Sequence, residues 1–164
     1  MKSIFEFLKA DQLTADYFPS ATQAEKSYAL SLYSGEETSI RVIAENIARD
    51  IADQQFLNVS DQGTFNDVLR ALKYDTNINH DALELFYDLK QSGNQAAHQL
   101  AVMTVSKTDK ETGLRDLERL YKLLAWFVNT FYDQTIDINA FHEPKKEDYI
   151  YTTTLTPSAA ERNL

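Results

Sequence analysis

The sequence has 164 residues, of which 43% are apolar and 25% charged, with no cysteine and a formal net charge of -9. That length and apolar fraction suit one folded domain and exclude a disordered chain. The lack of cysteine excludes disulfides, thiolate metal sites and a thiol nucleophile. An acidic surface opposes unaided binding to a phosphate backbone, and the only adjacent basic pair, Lys145 and Lys146, is followed at once by Glu147 and Asp148. No apolar run reaches the roughly eighteen residues of a membrane span. The opening Met1 to Lys9 carries charge inside its short apolar run, unlike a secretory signal, so a cytoplasmic chain is expected.

Apolar spacing predicts helices almost throughout. A short one over Ser3 to Ala10 buries Ile4, Phe5 and Leu8 and serves as a docking arm. After Pro19, Ser20 or Thr22 caps a helix running to Ser34, with Tyr28, Leu32 and Ala24 on its stripe and Gly35 as its left-handed stop. Thr38 or Ser39 starts the clearest core helix, where Ile40, Ile43, Ala44, Ile47, Ala48 and Ile51 recur at three- and four-residue steps. Leu57 to Gly63 is a loop, and Thr64 with Asp67 is an acidic capping box opening Phe65 to Lys73, whose Phe65, Val68, Leu69 and Leu72 face inward.

Asn79 or Asp81 caps the next helix, carrying Leu83, Phe86 and Leu89 and stopping at Gly93; Asn94 caps another from Gln95 to Met103. Ser106 to Gly113 is a polar turn. A last long helix runs from Asp109 or Thr112 to Tyr132 with Leu114, Leu117, Leu120, Tyr121, Leu124, Phe127, Val128 and Phe131 on a wide apolar face. Beyond Asp133, Ile136, Ile138 and Phe141 alternate with polar residues, Pro144 breaks any helix, and Tyr149 to Leu155 is β-branched and aromatic. The expectation is an all-α, compact bundle of about five to seven helices over residues 1–134, with an extended tail or linker over 135–164.

The chain has no Gly-rich phosphate cradle and no Gly-x-Ser-x-Gly turn. His80 and His142 have acidic neighbours in sequence, but adjacent residues do not converge on one metal as i, i+4 pairs do. Glu84 with Asp88, and Glu111 with Arg115, read as solvated helix surface. Tyr121, Trp126, Phe127, Phe131 and Tyr132 lack interleaved bases, which favours core over base stacking. The most distinctive string runs from Leu89 to His98, in which Gly93 and Asn94 read as a helix-to-helix corner and His98 as a hydrogen-bonded packing residue or a functional one.

Three strings together resemble the N-terminal helical domain of type I restriction endonuclease R subunits. Ser3-Ile4-Phe5-Glu6-Phe7-Leu8 is similar to the opening aromatic-x-Phe-Leu of these proteins. Leu85-Phe86-Tyr87-Asp88-Leu89-Lys90-Gln91-Ser92-Gly93-Asn94-Gln95-Ala96-Ala97-His98 is similar to their Leu-Phe-x-x-Leu-Arg-x-x-Gly-Asn-x-Ala-x-His stretch, with Lys90 where Arg is usual. Leu123-Leu124-Ala125-Trp126-Phe127-Val128-Asn129-Thr130-Phe131-Tyr132 resembles their Leu-Ala-x-Trp-Phe-x-x-x-Phe helix, followed by Phe141 and Pro144. Leu155 to Leu164 looks like the opening of the nuclease segment that follows this domain in larger proteins.

The resemblance implies a noncatalytic accessory piece of an ATP-dependent DNA translocase and endonuclease acting against foreign DNA. The parent's ATP, magnesium and nuclease sites would lie beyond Leu164, so no catalytic, cofactor or metal residue is assigned within the chain. The implied partners are nuclease and helicase domains of the same polypeptide, methyltransferase and specificity subunits, and DNA through the complex. Lys90, Gly93, Asn94 and His98 are the candidate motif. The same helical family is related to the HEPN group, whose ribonucleases resemble Arg-polar-x-x-x-His; Gly93 stands where that Arg would be, removing the cation expected to stabilise phosphoryl-transfer charge. A HEPN-like ribonuclease, or a stand-alone defence or antitoxin partner, is the alternative.

Overall fold

The computed structural model describes residues 2–74, 78–101 and 110–149, and of 96–101 the backbone only. A 3-10 turn, Glu6–Ala10, leads into six α-helices: α1 (Gln12–Ala15), α2 (Phe18–Ala29), α3 (Tyr33–Gln54), α4 (Phe65–Lys73), α5 (His80–Ala101) and α6 (Lys110–Phe131). No strand occurs among the described residues. The chain is therefore the all-α bundle its periodicity predicts, with a C-terminal tail.

α3 forms the axis, and α2, α4, α5 and α6 all pack on it. Its stripe of Ile40, Ile43, Ala44, Ile47, Ala48 and Ile51 is buried throughout, and each enclosed isoleucine contributes about 1.5–3 kcal/mol. Gly113 of α6 lies against Glu36 of α3, and Tyr132 just past α6 accepts a hydrogen bond from Gln54, so these two helices run parallel. Asp88 of α5 pairs with Arg119 of α6, and Phe86 meets Trp126 edge-on at 6.4 Å, which sets α5 antiparallel to both.

Two helix starts follow their sequence signals. Thr64 and Asp67 close a capping box, Thr64 N–H donating to Asp67 Oδ2 at 2.9 Å and Asp67 N–H to Thr64 Oγ1 at 3.1 Å, and α4 spans Phe65–Lys73 as expected. Asn79 caps α5 by accepting from Ala82 N–H at 2.7 Å.

The glycine signals read the other way. Gly35, Gly93 and Gly113 all lie inside helices, and no glycine has a positive φ. α2 ends earlier than expected, with Ser31 at φ 64° as the left-handed residue and Leu32 N–H reaching back to Ser27 C=O at 2.8 Å. Leu32 consequently leaves the helix and is 58% exposed, while α3 begins at Tyr33 and runs through Gly35. α3 ends in the same manner at Phe56, φ 56°, with Leu57 N–H on Ala52 C=O at 2.9 Å. These are left-handed helix stops built without glycine.

No corner forms at Gly93 and Asn94, where the sequence predicts one. α5 passes straight through both residues as one helix of 22 residues. Gly93 is there because α3 is too near for a side chain: a Cβ at this position would stand 2.3 Å from the Cβ of Arg41. Gly113, expected in a turn, is likewise buried within α6, where a Cβ would come 2.6 Å from Glu36 Oε1. The expected helix end at Met103 and turn over 106–109 fall outside the described residues.

The tail folds back as far as it is described. Asn129 holds Ile136 by two bonds, its Nδ2 donating to Ile136 C=O at 2.8 Å and its Oδ1 accepting from Ile136 N–H at 2.7 Å. Tyr121 donates to Asp137 C=O at 3.2 Å, and Phe141 packs on the Tyr121 ring. Tyr28 donates to Glu143, which also faces Lys110 at 3.6 Å, and Pro144 is buried. Buried Glu25 accepts from Ser3 Oγ and, at 3.2 Å, from Ile4 N–H; the Tyr149 hydroxyl bonds the same carboxylate. One side chain thus joins the two ends of the described chain. The remaining tail, 150–164, lies outside the described residues.

Gly93→Ala is expected to lower stability by about 1–3 kcal/mol, because the obstructing atom belongs to the rigid base of Arg41. Gly35→Ala, with open space around its Cβ, should instead raise stability by up to about 1 kcal/mol through helix propensity and unfolded-state entropy. Thermal melts of the two variants would show opposite shifts; a shift of the same sign in both would refute the close-approach account.

Candidate functional site

The candidate residues Lys90, Gly93, Asn94 and His98 share one helix, α5, instead of straddling a corner. Close contact at Gly93 brings Arg41 of α3 over the α5 surface. The Arg41 Nε donates to Asn94 Oδ1 at 2.5 Å, its Nη1 to Glu45 at 3.2 Å, and its guanidinium lies 5.7 Å from the Phe65 ring centre. Glu45 is shared with Arg49, whose Nη2 reaches it at 2.7 Å and also donates to Gly63 C=O at 2.7 Å. Half-buried Lys90 lies one turn before Asn94. Arg41 and Arg49 thus share the carboxylate of Glu45, with Lys90 on the adjoining turn of α5. Asn94 is an acceptor for an arginine from another helix, not a cap.

His98 follows Asn94 by four residues, and the antiparallel course of α5 carries that turn toward the first turns of α3. Its side chain lies outside the described residues. His80 is exposed and pairs with Glu84 at 3.1 Å, and His142 is exposed. Among the described residues no group of three or more metal-ligating side chains converges.

A second cluster escaped the sequence reading. Glu36 and Glu37, in the opening turns of α3, and Asp116 of α6 are 0%, 1% and 0% exposed. Asp116 Oδ1 accepts from Arg119 at 2.8 Å and faces Arg115 at 3.6 Å. Its Oδ2 and all four glutamate oxygens lack a hydrogen-bond donor. Two ionised, unpaired glutamates so placed would cost several kcal/mol each, so burial keeps protons on them. Burial, helped by the Asp116 charge, raises Glu36 from an ordinary 4.5 to about 9. Burial, then a hydrogen bond to Asp116 and its charge, raises Glu37 to about 10 against the opposing pull of Arg115. Protonated Glu37 supplies the donor that two facing carboxylates lack.

Periodicity contained the missing signal. Glu36 and Glu37 stand four and three residues before Ile40, where the buried stripe of α3 extends backward, and Asp116 stands four before Leu120 on that of α6. Placing the helix start at Thr38 or Ser39 left Glu36 and Glu37 outside the helix and concealed this alignment.

No known family model matches the sequence, and neither a curated protein nor a solved structure matches it significantly.

The buried acids set a pH dependence. A glutamic acid whose pKa rises from 4.5 on folding stabilises fully below about pH 4.5, and the contribution drains away as pH climbs through the folded values near 9 and 10. Glu37→Gln, which mimics the protonated acid, should therefore melt higher than the parent at pH 8, by about 1–3 kcal/mol, with the gap narrowing at pH 5. A gap independent of pH, or destabilisation at pH 8, would contradict a proton held on Glu37.

Proposed function

We propose that the chain is a noncatalytic accessory domain of a type I restriction R subunit, a cytoplasmic helical body on which nuclease and helicase parts of an ATP-dependent DNA translocase are positioned. It would contact the methyltransferase and specificity subunits and meet DNA through the complex, in defence against foreign DNA. ATP and magnesium would act elsewhere in the parent protein.

One observation carries this reading: the residues that give the resemblance are occupied with packing. Phe86, Leu89 and Phe127 are core, Trp126 stands edge-on to Phe86, Gly93 admits α3, and Asn94 anchors Arg41. A signature made of core contacts and a close helix crossing suits a module defined by its shape. No helix among the described residues is long and apolar enough to cross a membrane. The chain mixed with DNA, ATP and magnesium is expected to leave the DNA intact, and to bind the remainder of an R subunit in size-exclusion chromatography; cleavage by the chain alone would sink the proposal.

A ribonuclease of the HEPN type is the second reading, and the Arg41 contact favours it. The arginine absent from position 93 reaches the α5 face from α3 and stands one turn before His98. With RNA as substrate, this reading expects cleavage that falls by at least about 100-fold in His98→Ala, the usual scale for losing a general acid or base. Cleavage that survives unchanged in that variant removes it.

A further inference from the structure

The C-terminal ends of α3 and α6, two parallel helices of 22 residues each, border a cleft of about 390 Å3 lined by Leu13, Asp16, Tyr17, Asp50, Gln54 and Tyr132. A helix presents its unsatisfied carbonyls and the negative end of its dipole at this terminus, where a lysine or arginine is the usual complement. Neither α3 nor α6 has a basic residue in its last turn. Acids stand there instead: Asp50 and Asp53 in the final turns of α3, and Asp133 after α6. None of Asp16, Asp50, Asp53 and Asp133 pairs with a described lysine or arginine.

The walls are aromatic and fixed. The Tyr17 and Tyr132 rings both stand edge-on to the buried Phe127 ring, at 5.9 Å and 5.3 Å. Tyr17 donates to Asp50 Oδ2 at 3.1 Å, and Gln54 Nε2 donates to Asp50 Oδ1 at 3.2 Å and to the Tyr132 hydroxyl at 3.0 Å. Burial first, then the charge of Asp50, pushes both phenols above their ordinary range. The cleft is thus anionic with no ion-paired lysine or arginine among the described residues, two tyrosine side chains line it, and Leu13 lies 64% exposed at the rim.

We propose that this cleft receives an arginine side chain of a partner polypeptide. The planar guanidinium stacks on a tyrosine face and meets carboxylates at its edge, where the compact ammonium of lysine uses only the charge. It also takes the place of the cation missing from both helix ends. An apolar residue beside that arginine covers Leu13, which makes the ligand a peptide segment rather than a free cation. The inference rests on the reading of the chain as an interaction domain and names the chemistry of one partner surface.

The test is an NMR titration of the 15N-labelled chain with acetyl-Leu-Arg-amide, with its neutral citrulline isostere, and with spermidine. The arginine peptide should shift the amides of Tyr17, Asp50, Gln54 and Tyr132 saturably, and its affinity should fall about three- to fivefold in Asp16→Asn and again in Tyr132→Leu, the size of a partly exposed charge or cation–π contact. Asp16 is exposed and its side chain is in no described hydrogen bond or ion pair, so Asp16→Asn tests the cleft even if Tyr132→Leu misfolds. Equal binding of the citrulline peptide or of spermidine, unchanged affinity in Asp16→Asn, or no saturable shift at these residues overturns the site. Arginine binding in a chain that does not associate with the rest of an R subunit keeps the cleft and removes the restriction reading. Association without arginine binding does the reverse.

Discussion

The near-contact of α5 with α3 at Gly93 is the constraint on which the rest of the bundle depends. With the Arg41 Cβ occupying the space where a side chain would begin, the two helices approach closely, and α5 runs straight through the crossing. That course places Phe86 and Leu89 in the core. It brings Asp88 to Arg119 and sends the turn bearing His98 along the start of α3. At Gly113 of α6 the space of a Cβ is taken instead by the end of the Glu36 side chain from α3. Gly93 therefore sets the spacing of α5 on α3, and a methyl group there forces repacking in an interior with little free volume.

Close spacing also explains the buried acids. Where α6 approaches the first turns of α3 at Gly113, no room remains for water around Glu36 and Glu37, and the two nearby arginines both serve Asp116. The helix dipole at the start of α3 favours negative charge, but with no donor reaching these carboxyls it does not offset their desolvation. A proton does. The arrangement exchanges a simple apolar contact for one whose stability falls as pH rises, and it gives the α3–α6 contact a polar identity that a methylene substitute would lack.

Charge is unevenly distributed over the molecule. Arg41 and Arg49 share Glu45 on α3, whereas the last turns of α3 and α6 hold no basic residue. Both regions are made by helices whose packing is already fixed. A binding group placed there is held by the scaffold and loses little freedom when a partner arrives. For a chain proposed as a positioning module, surface regions of different charge allow two neighbours to be told apart.

The sequence by itself determined the helical class, the stripe of α3 and the capping box at Thr64, and narrowed the cap of α5 to Asn79 or Asp81, because each depends on spacing within a few residues. It also singled out the string through Gly93 and Asn94, though not its role. Only the tertiary structure decided that Gly93 and Gly113 are contact residues. A glycine inside a helix and one ending a helix are the same letter, and what separates them here is the proximity of Arg41 and Glu36, residues 52 and 77 positions away. The helix stops went to Ser31 and Phe56, which local propensity disfavours. The buried acids and the pairing of Arg41 with Asn94 were hidden for the same reason: burial and partnership belong to elements distant in sequence, and periodicity along one helix does not say which neighbour will close over its polar residues.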